Sequence, residues 1–224
     1  SADGMIVITH VKGHLIAGMG AAIKNLSMGL GSRTQKQRMH GDIKPEYVQK
    51  KCIYCGLCAK VCPESAITVN KPDFNLNRDL CVGCAECITH CPTQALKILW
   101  NEKPALLAEK MAETAFVAIN HLPGKILFFN FLINITPDCD CMSWSDNALI
   151  NDIGVLASYD PVAIDQASYD LISQQKILNN SVLEDKDGDI FTLLRPGIDP
   201  LRQLEYAESL GLGSRKYDAV DLKW

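Results

Sequence analysis

The 224-residue sequence has no apolar run long enough to span a bilayer. Its most apolar stretch, Ile126 to Ile135, is short and broken by Asn130 and Asn134. A spanning helix needs about 20 apolar residues, so this stretch reads as a buried strand. Concentrated basic charge is also missing. The net charge is −4 and the pI about 5.7, which argues against nucleic acid or an anionic membrane as a partner. The one positive run, Ser32-Arg33-Thr34-Gln35-Lys36-Gln37-Arg38, reads as a solvated linker. No Gly-Lys-Ser/Thr occurs, which excludes a P-loop, and Gly18-x-Gly20 is not completed because position 23 is Ile. Asp185-Lys186-Asp187-Gly188-Asp189 lacks the later glycine and glutamate of a calcium loop and reads as a turn. No secretory-type segment precedes the first apolar strand. Ser1-Ala2-Asp3-Gly4 runs straight into that strand, so these residues are expected to be the C-terminal part of a longer protein.

What is present is a folded-protein composition, 47% apolar and 21% charged, sufficient for one large domain or two modest ones. Met5 to Thr9 reads as a buried strand, followed by a helix from about Ala17 to Leu30. Pro104 to Leu122 reads as a helix, with Pro104 in its first turn, Ala108, Ala112, Ala115 and Ile119 on one face, and Gly124 as its cap. Strands are expected at Lys125–Ile135 and Ile153–Ala157. A helix opens at Asp160-Pro161 and runs to about Ser173, and another covers Pro200–Leu210. Tyr217 to Leu222 reads as a terminal strand. Strands alternating with helices predict an α/β host domain, a mainly parallel sheet flanked by helices, over residues 1–45 and 100–224.

Residues 46–99 differ in composition and repeat internally. Cys62-Pro63-Glu64-Ser65-Ala66-Ile67-Thr68-Val69 matches Cys91-Pro92-Thr93-Gln94-Ala95-Leu96-Lys97-Ile98 at an offset of 29 residues. Eight of the ten cysteines fall in two runs, Cys52-x-x-Cys55-x-x-Cys58-x-x-x-Cys62-Pro63 and Cys81-x-x-Cys84-x-x-Cys87-x-x-x-Cys91-Pro92. Thiolates are soft ligands suited to iron–sulfur clusters. A pair of zinc sites would also use C-x-x-C, but would not need eight cysteines, both Cys-Pro endings and the repeat. The pattern resembles bacterial two-cluster ferredoxins, so an inserted α+β ferredoxin-like domain with two 4Fe–4S clusters is expected. That resemblance implies that each run's last cysteine serves the other cluster. One cluster would use Cys52, Cys55, Cys58 and Cys91, the other Cys81, Cys84, Cys87 and Cys62. Such cysteine usage points to a reducing, cytoplasmic compartment.

The host carries its own signatures. His10-Val11-Lys12-Gly13-His14 leads into Gly18-Met19-Gly20-Ala21-Ala22-Ile23-Lys24-Asn25-Leu26. Ile135-Thr136-Pro137-Asp138-Cys139-Asp140-Cys141 and Asp152-Ile153-Gly154-Val155-Leu156-Ala157-Ser158-Tyr159-Asp160-Pro161-Val162-Ala163-Ile164-Asp165 follow, and Gly211-Leu212-Gly213-Ser214-Arg215-Lys216-Tyr217 ends the series. Together these resemble the domain-of-unknown-function family three-six-two, whose members often carry an inserted ferredoxin; the resemblance implies iron–sulfur binding. Ligands of open α/β sheets bind beyond the carboxyl ends of parallel strands. His10, Lys12 and His14, then Asp138 to Cys141, then Ser158 and Asp160 each follow a strand, and with parallel strands they would converge. Cys139 and Cys141 could hold a soft metal with His10 and His14, or form a redox pair, with Asp138 and Asp140 as acceptors. The ordinary alternatives are a buried thiol, hydrogen-bonded histidines, a helix cap at Asp160 and a first-turn carboxylate at Asp165. The sequence thus reads as an electron-transfer protein, an oxidoreductase component passing electrons between a host site and a redox partner protein or small-molecule carrier. The alternative is a non-enzymatic metal-binding or maturation protein whose clusters are structural or sensory.

Overall fold

Four β-branched residues in Met5-Ile6-Val7-Ile8-Thr9 suit an extended conformation, and β1 spans Gly4–His10. The short hairpin β2 (Lys12–His14) and β3 (Gly18–Gly20) follows, then α1 (Ala22–Leu30). The computed structural model describes residues 3–40, 44–97, 103–122 and 125–222. Gly124, read as a helix cap, and Ile98 of the repeat lie outside them. By contact the chain divides into two compact units, residues 1–30 with 104–224, and residues 31–103.

The smaller unit opens with α2 (Arg33–His40), so the positive run is helical rather than a linker. Next come β4 (Glu46–Tyr47), α3 (Leu57–Lys60), β5 (Ile67–Asn70), β6 (Asp73–Leu76), α4 (Glu86–Thr89) and β7 (Leu96–Lys97). β4 pairs antiparallel with β7, and β5 with β6. The sequence repeat is a backbone repeat at the same offset. Left-handed conformations recur at Tyr54 and Gly83, at Gly56 and Ala85, and at Ser65 and Gln94.

The larger unit resumes with α5 (Pro104–Asn120), β8 (Lys125–Leu132), β9 (Gly154–Ser158), α6 (Pro161–Ser173), α7 (Ile190–Leu194) and α8 (Arg202–Ser209). Its main sheet has the order β1-β8-β9; β1 is parallel to β8, and β9 antiparallel to it. The expectation of a mainly parallel sheet is therefore corrected to a mixed one. The loop from 133 to 153 returns β9 directly alongside β8, with no crossover helix to reset its direction. Residues 217–222 form no strand. Val7, Thr9, Ile126, Phe128, Asn130 and Leu132 point to the buried face. There α1 and α6 pack on the sheet, and α5 packs on α1 and α8. Ala108, Ala112 and Ala115 are buried on α5, where small side chains permit close helix approach.

Two caps set these helices. Asp160 accepts from Val162 N and Ala163 N at 2.8 and 2.9 Å, with Pro161 in the first turn, as its sequence suggests. α1 begins at Ala22, later than expected from the sequence, because its cap comes from elsewhere. The buried Asp165 carboxylate on α6 accepts from Ala22 N at 2.8 Å and Ile23 N at 2.9 Å. Asp165 lies beyond the first turn of its own helix, contrary to the sequence reading, and serves the first turn of α1 instead.

Candidate functional site

In the smaller unit, the cysteine loops border two open pockets of similar size. Cys52, Cys55, Cys58 and Cys91 line the first, beside Tyr47, Phe74 and Leu96. Cys62, Cys81, Cys84 and Cys87 line the second. Each pocket therefore draws three cysteines from one run and one from the other. Backbone amides point at the sulfurs in a repeated way: Ala66 N donates to Cys62 Sγ at 3.2 Å, and Ala95 N to Cys91 Sγ at 3.1 Å. Tyr54 N donates to Cys52 Sγ at 3.4 Å.

The thiols feel this crowding. Burial pushes Cys87 up to about 12, with further increases from Cys81, Cys84, Cys58 and Cys62 around it. Cys58 is raised by burial and by Cys55 and Cys52. Cys91 goes the other way: burial raises it, but hydrogen bonds from Leu96, Ala95 and Thr93 outweigh that and hold its thiolate. Several sulfurs packed together cannot all carry negative charge without a cation among them. The donor chemistry, four sulfurs per pocket with aimed amides, fits iron–sulfur clusters.

In the larger unit, the parallel pairing of β1 and β8 sends both strands out at the same end. They stay in contact beyond it: Val11 N donates to Phe131 O at 3.1 Å, and Gly13 N to Thr136 O at 3.0 Å. A Cβ at Gly13 would sit 2.1 Å from Pro137 O, so only glycine permits this approach. The result sets Lys12 and His14 against residues 138–141. Lys12 Nζ donates to Asp140 Oδ1 at 2.5 Å, and Lys24 Nζ lies 3.7 Å from Cys139 Sγ. His14 Nδ1 accepts from Ile16 N and Ala17 N, at 3.3 and 3.0 Å. Arg195 pairs with Asp138, to which Trp144 Nε1 also donates at 3.4 Å.

Ligand atoms of His14, Cys139 and Cys141 lie within 4.8 Å of one another, and the two sulfurs are joined as a disulfide. His10 does not belong to this group; its Nε2 lies 2.6 Å from Ile133 O. Ser158 and Asp160 do not join it either. Antiparallel β9 ends beside Phe128, farther back along β8, whose last residue Leu132 pairs with Gly154. Asp160 is occupied by its own helix and by Ser214 N at 2.8 Å. Sequence reading did not assign a role to Lys24 or Arg195. Lys24 sits on α1, whose orientation follows from the Asp165 cap, and Arg195 ends α7, so neither spacing carried a signal.

The profile described as domain of unknown function (DUF362) matches residues 1–170. The protein belongs to this family. Among curated proteins it is similar to the B subunit of polysulfide reductase from Wolinella succinogenes, 40% identical over 63 residues, 27% of this chain and 33% of that protein. It is also similar to pyruvate synthase subunit PorD of Methanocaldococcus jannaschii, 34% identical over 61 residues, 27% of this chain and 71% of PorD. Polyferredoxin protein MvhB of Methanothermobacter marburgensis is 44% identical over 50 residues, 22% of this chain and 12% of MvhB. The match thus spans about a third of the polysulfide reductase subunit and a small part of MvhB. No helix among the described residues of this DUF362 member is long and apolar enough to cross a membrane.

Proposed function

We propose that the protein is an iron–sulfur electron-transfer protein and a component of an oxidoreductase. Cys52, Cys55, Cys58 and Cys91 would hold one 4Fe–4S cluster, and Cys62, Cys81, Cys84 and Cys87 the other. The observation that carries this reading is the pair of four-cysteine pockets related by a backbone repeat of 29 residues. Such clusters, when bound, supply one-electron transfer at potentials tuned by their surroundings.

The protein's own residues supply that tuning. The left-handed turns at Ser65 and Gln94 swing the following amides, Ala66 N and Ala95 N, onto sulfur. Amide donors stabilise sulfur's negative charge and so favour the added electron. Because burial and neighbouring sulfurs raise Cys87 and Cys58, loading would release protons from them. Cys55 is exposed, and so are Ile53 and Leu57 beside it. They offer a small apolar contact of the kind brief redox encounters use. The relatives' names, a reductase subunit, a synthase subunit and a polyferredoxin, support a redox partner protein or a small-molecule carrier at that surface. We assign the other terminus of electron flow to the Lys12–His14 and Asp138–Cys141 corner of the larger unit.

Iron and sulfide assays with electron paramagnetic resonance on anaerobically purified protein test this. About eight iron atoms per molecule are expected. Zinc in their place, or iron for one cluster alone, overturns it. Cys62→Ala should abolish the signal of the site lined by Cys81, Cys84 and Cys87.

A further inference from the structure

Cys139 and Cys141 are two residues apart and bridged, with Cα atoms 5.4 Å apart. A cross-link stabilises mainly by restricting the unfolded chain, and its effect grows with the loop enclosed. A ring this short restricts very little, so holding the fold together does not account for it. Its surroundings suit reactivity instead. Cys139 is buried and Cys141 exposed, so one sulfur is shielded and the other reachable. The Lys24 ammonium faces the shielded sulfur at 3.7 Å, and a ring nitrogen of His14 lies within 4.8 Å of both. The described cysteines of the smaller unit are all free thiols.

We propose that Cys139–Cys141 is a redox-active pair that performs thiol–disulfide exchange with small disulfide substrates. In the reduced form, the Cys141 thiolate attacks one sulfur of the substrate disulfide. A Cys141–substrate mixed disulfide forms, and the first substrate thiolate leaves. The Cys139 thiolate then attacks Cys141 Sγ, which restores the bridge and releases the second substrate thiolate. Two electrons pass from the pair to the substrate, and the two protons lost by the cysteines are taken up by the product thiols. A dithiol reductant reverses the sequence by attacking Cys141 Sγ, whereupon Cys139 leaves as a thiolate beside the Lys24 charge. A leaving thiolate so stabilised departs faster. The inference rests on the proposed function only in treating this corner as a redox terminus, and its chemistry requires no iron.

Mass tagging of the full-length protein, purified anaerobically, tests it by peptide mapping. The peptide holding Cys139 and Cys141 should take no tag as isolated and two tags after dithiothreitol. Oxidised glutathione added to the reduced protein should restore the bridge. Cys139→Ser should trap a glutathione adduct on Cys141, whereas Cys141→Ser should leave Cys139 unmodified. Lys24→Gln should slow closing and opening about tenfold at unchanged iron content. Two free thiols that never close, a tightly held divalent metal that blocks closure, or an adduct on Cys139 would each overturn the proposal. Iron and sulfide measured on the same samples separate the two readings. Failed exchange at full iron content removes only the exchange, and working exchange without iron removes only the cluster assignment.

Discussion

In the larger unit a continuous apolar cluster runs from Val7, Ile23 and Leu26 through Phe128, Leu132 and Ile164 to Phe191 and Leu204. Among the described residues of the smaller unit, a buried cluster joins Ile67, Cys87 and Leu96, with Tyr47 and Phe74 stacked beside it at 4.0 Å between ring centroids. Where a core of that size would carry more leucine and phenylalanine, cysteines line the interior instead. We therefore expect hydrophobic burial to suffice for the first unit and the second to depend on what its cysteines bind, as small scaffolds with little core do.

The strongest way to break this contrast is to strip iron with a chelator under anaerobic conditions. Hydrogen exchange should show residues 44–97 losing protection while β1, β8 and α6 keep theirs, because metal binding is folding energy in a unit of this kind. A smaller unit that stays protected without metal would mean that its apolar cluster is adequate after all.

The next effect is confined to the larger unit. Asp165→Ala would leave Ala22 N and Ile23 N without their acceptor and take from Asn130 Nδ2 one of its two. A loss of about 3 kcal/mol is expected in urea unfolding. Burial first, with Asp160 adding to it, pushes the Asp165 carboxyl up to about 6 against the hydrogen bonds it accepts. A folded value above the unfolded one, about 3.9, means the folded state holds the proton more tightly. This contribution is complete below about pH 4, falls as pH rises, and is gone above about pH 6. The slope amounts to roughly 3 kcal/mol across that window. Asp165→Asn should flatten it, and an unchanged pH profile would show that the carboxyl is not the source.

Gly213→Ala sharpens the comparison further. A Cβ there would lie 2.0 Å from Asp160 Oδ1, and the clash would dislodge a carboxylate that also receives Ser214 N. A cost of about 1–3 kcal/mol is expected, read as a lower Tm of the larger unit alone. The smallest effect belongs to Asp140→Asn. Its pair with Lys12 is close, but the Asp140 side chain is 76% exposed. The change in stability should stay under about 1 kcal/mol.

The legible part of the fold is the part with local causes. The Asp160-Pro161 start of α6, the alanine face of α5 and the strand character of Lys125–Leu132 all follow from neighbours within a few residues. The start of α1 is not legible in the sequence because its cap, Asp165, lies 143 residues away. The direction of β9 was not legible either, since a long irregular loop permits either pairing. That direction separates Ser158 and Asp160 from the corner that His14, Cys139 and Cys141 share.

By itself the sequence determined which atoms were on hand: eight cysteines in two related runs, a C-x-C pair, and two lysines and two histidines near the first strand. It also determined the repeat, because the cysteine spacing recurs with Pro63 and Pro92, and Ala66 and Ala95, at equivalent positions, and left-handed turns fall at matching places in both halves. Tertiary structure alone decided which of those atoms meet. It placed Lys24 rather than His10 beside Cys139, and it buried one sulfur of the pair while leaving the other open. The physical reason is that both outcomes depend on strand direction and helix docking. These are set by burial of Val7, Phe128 and Ile164 in one shared core and by the Asp165 cap, contacts between residues far apart in sequence.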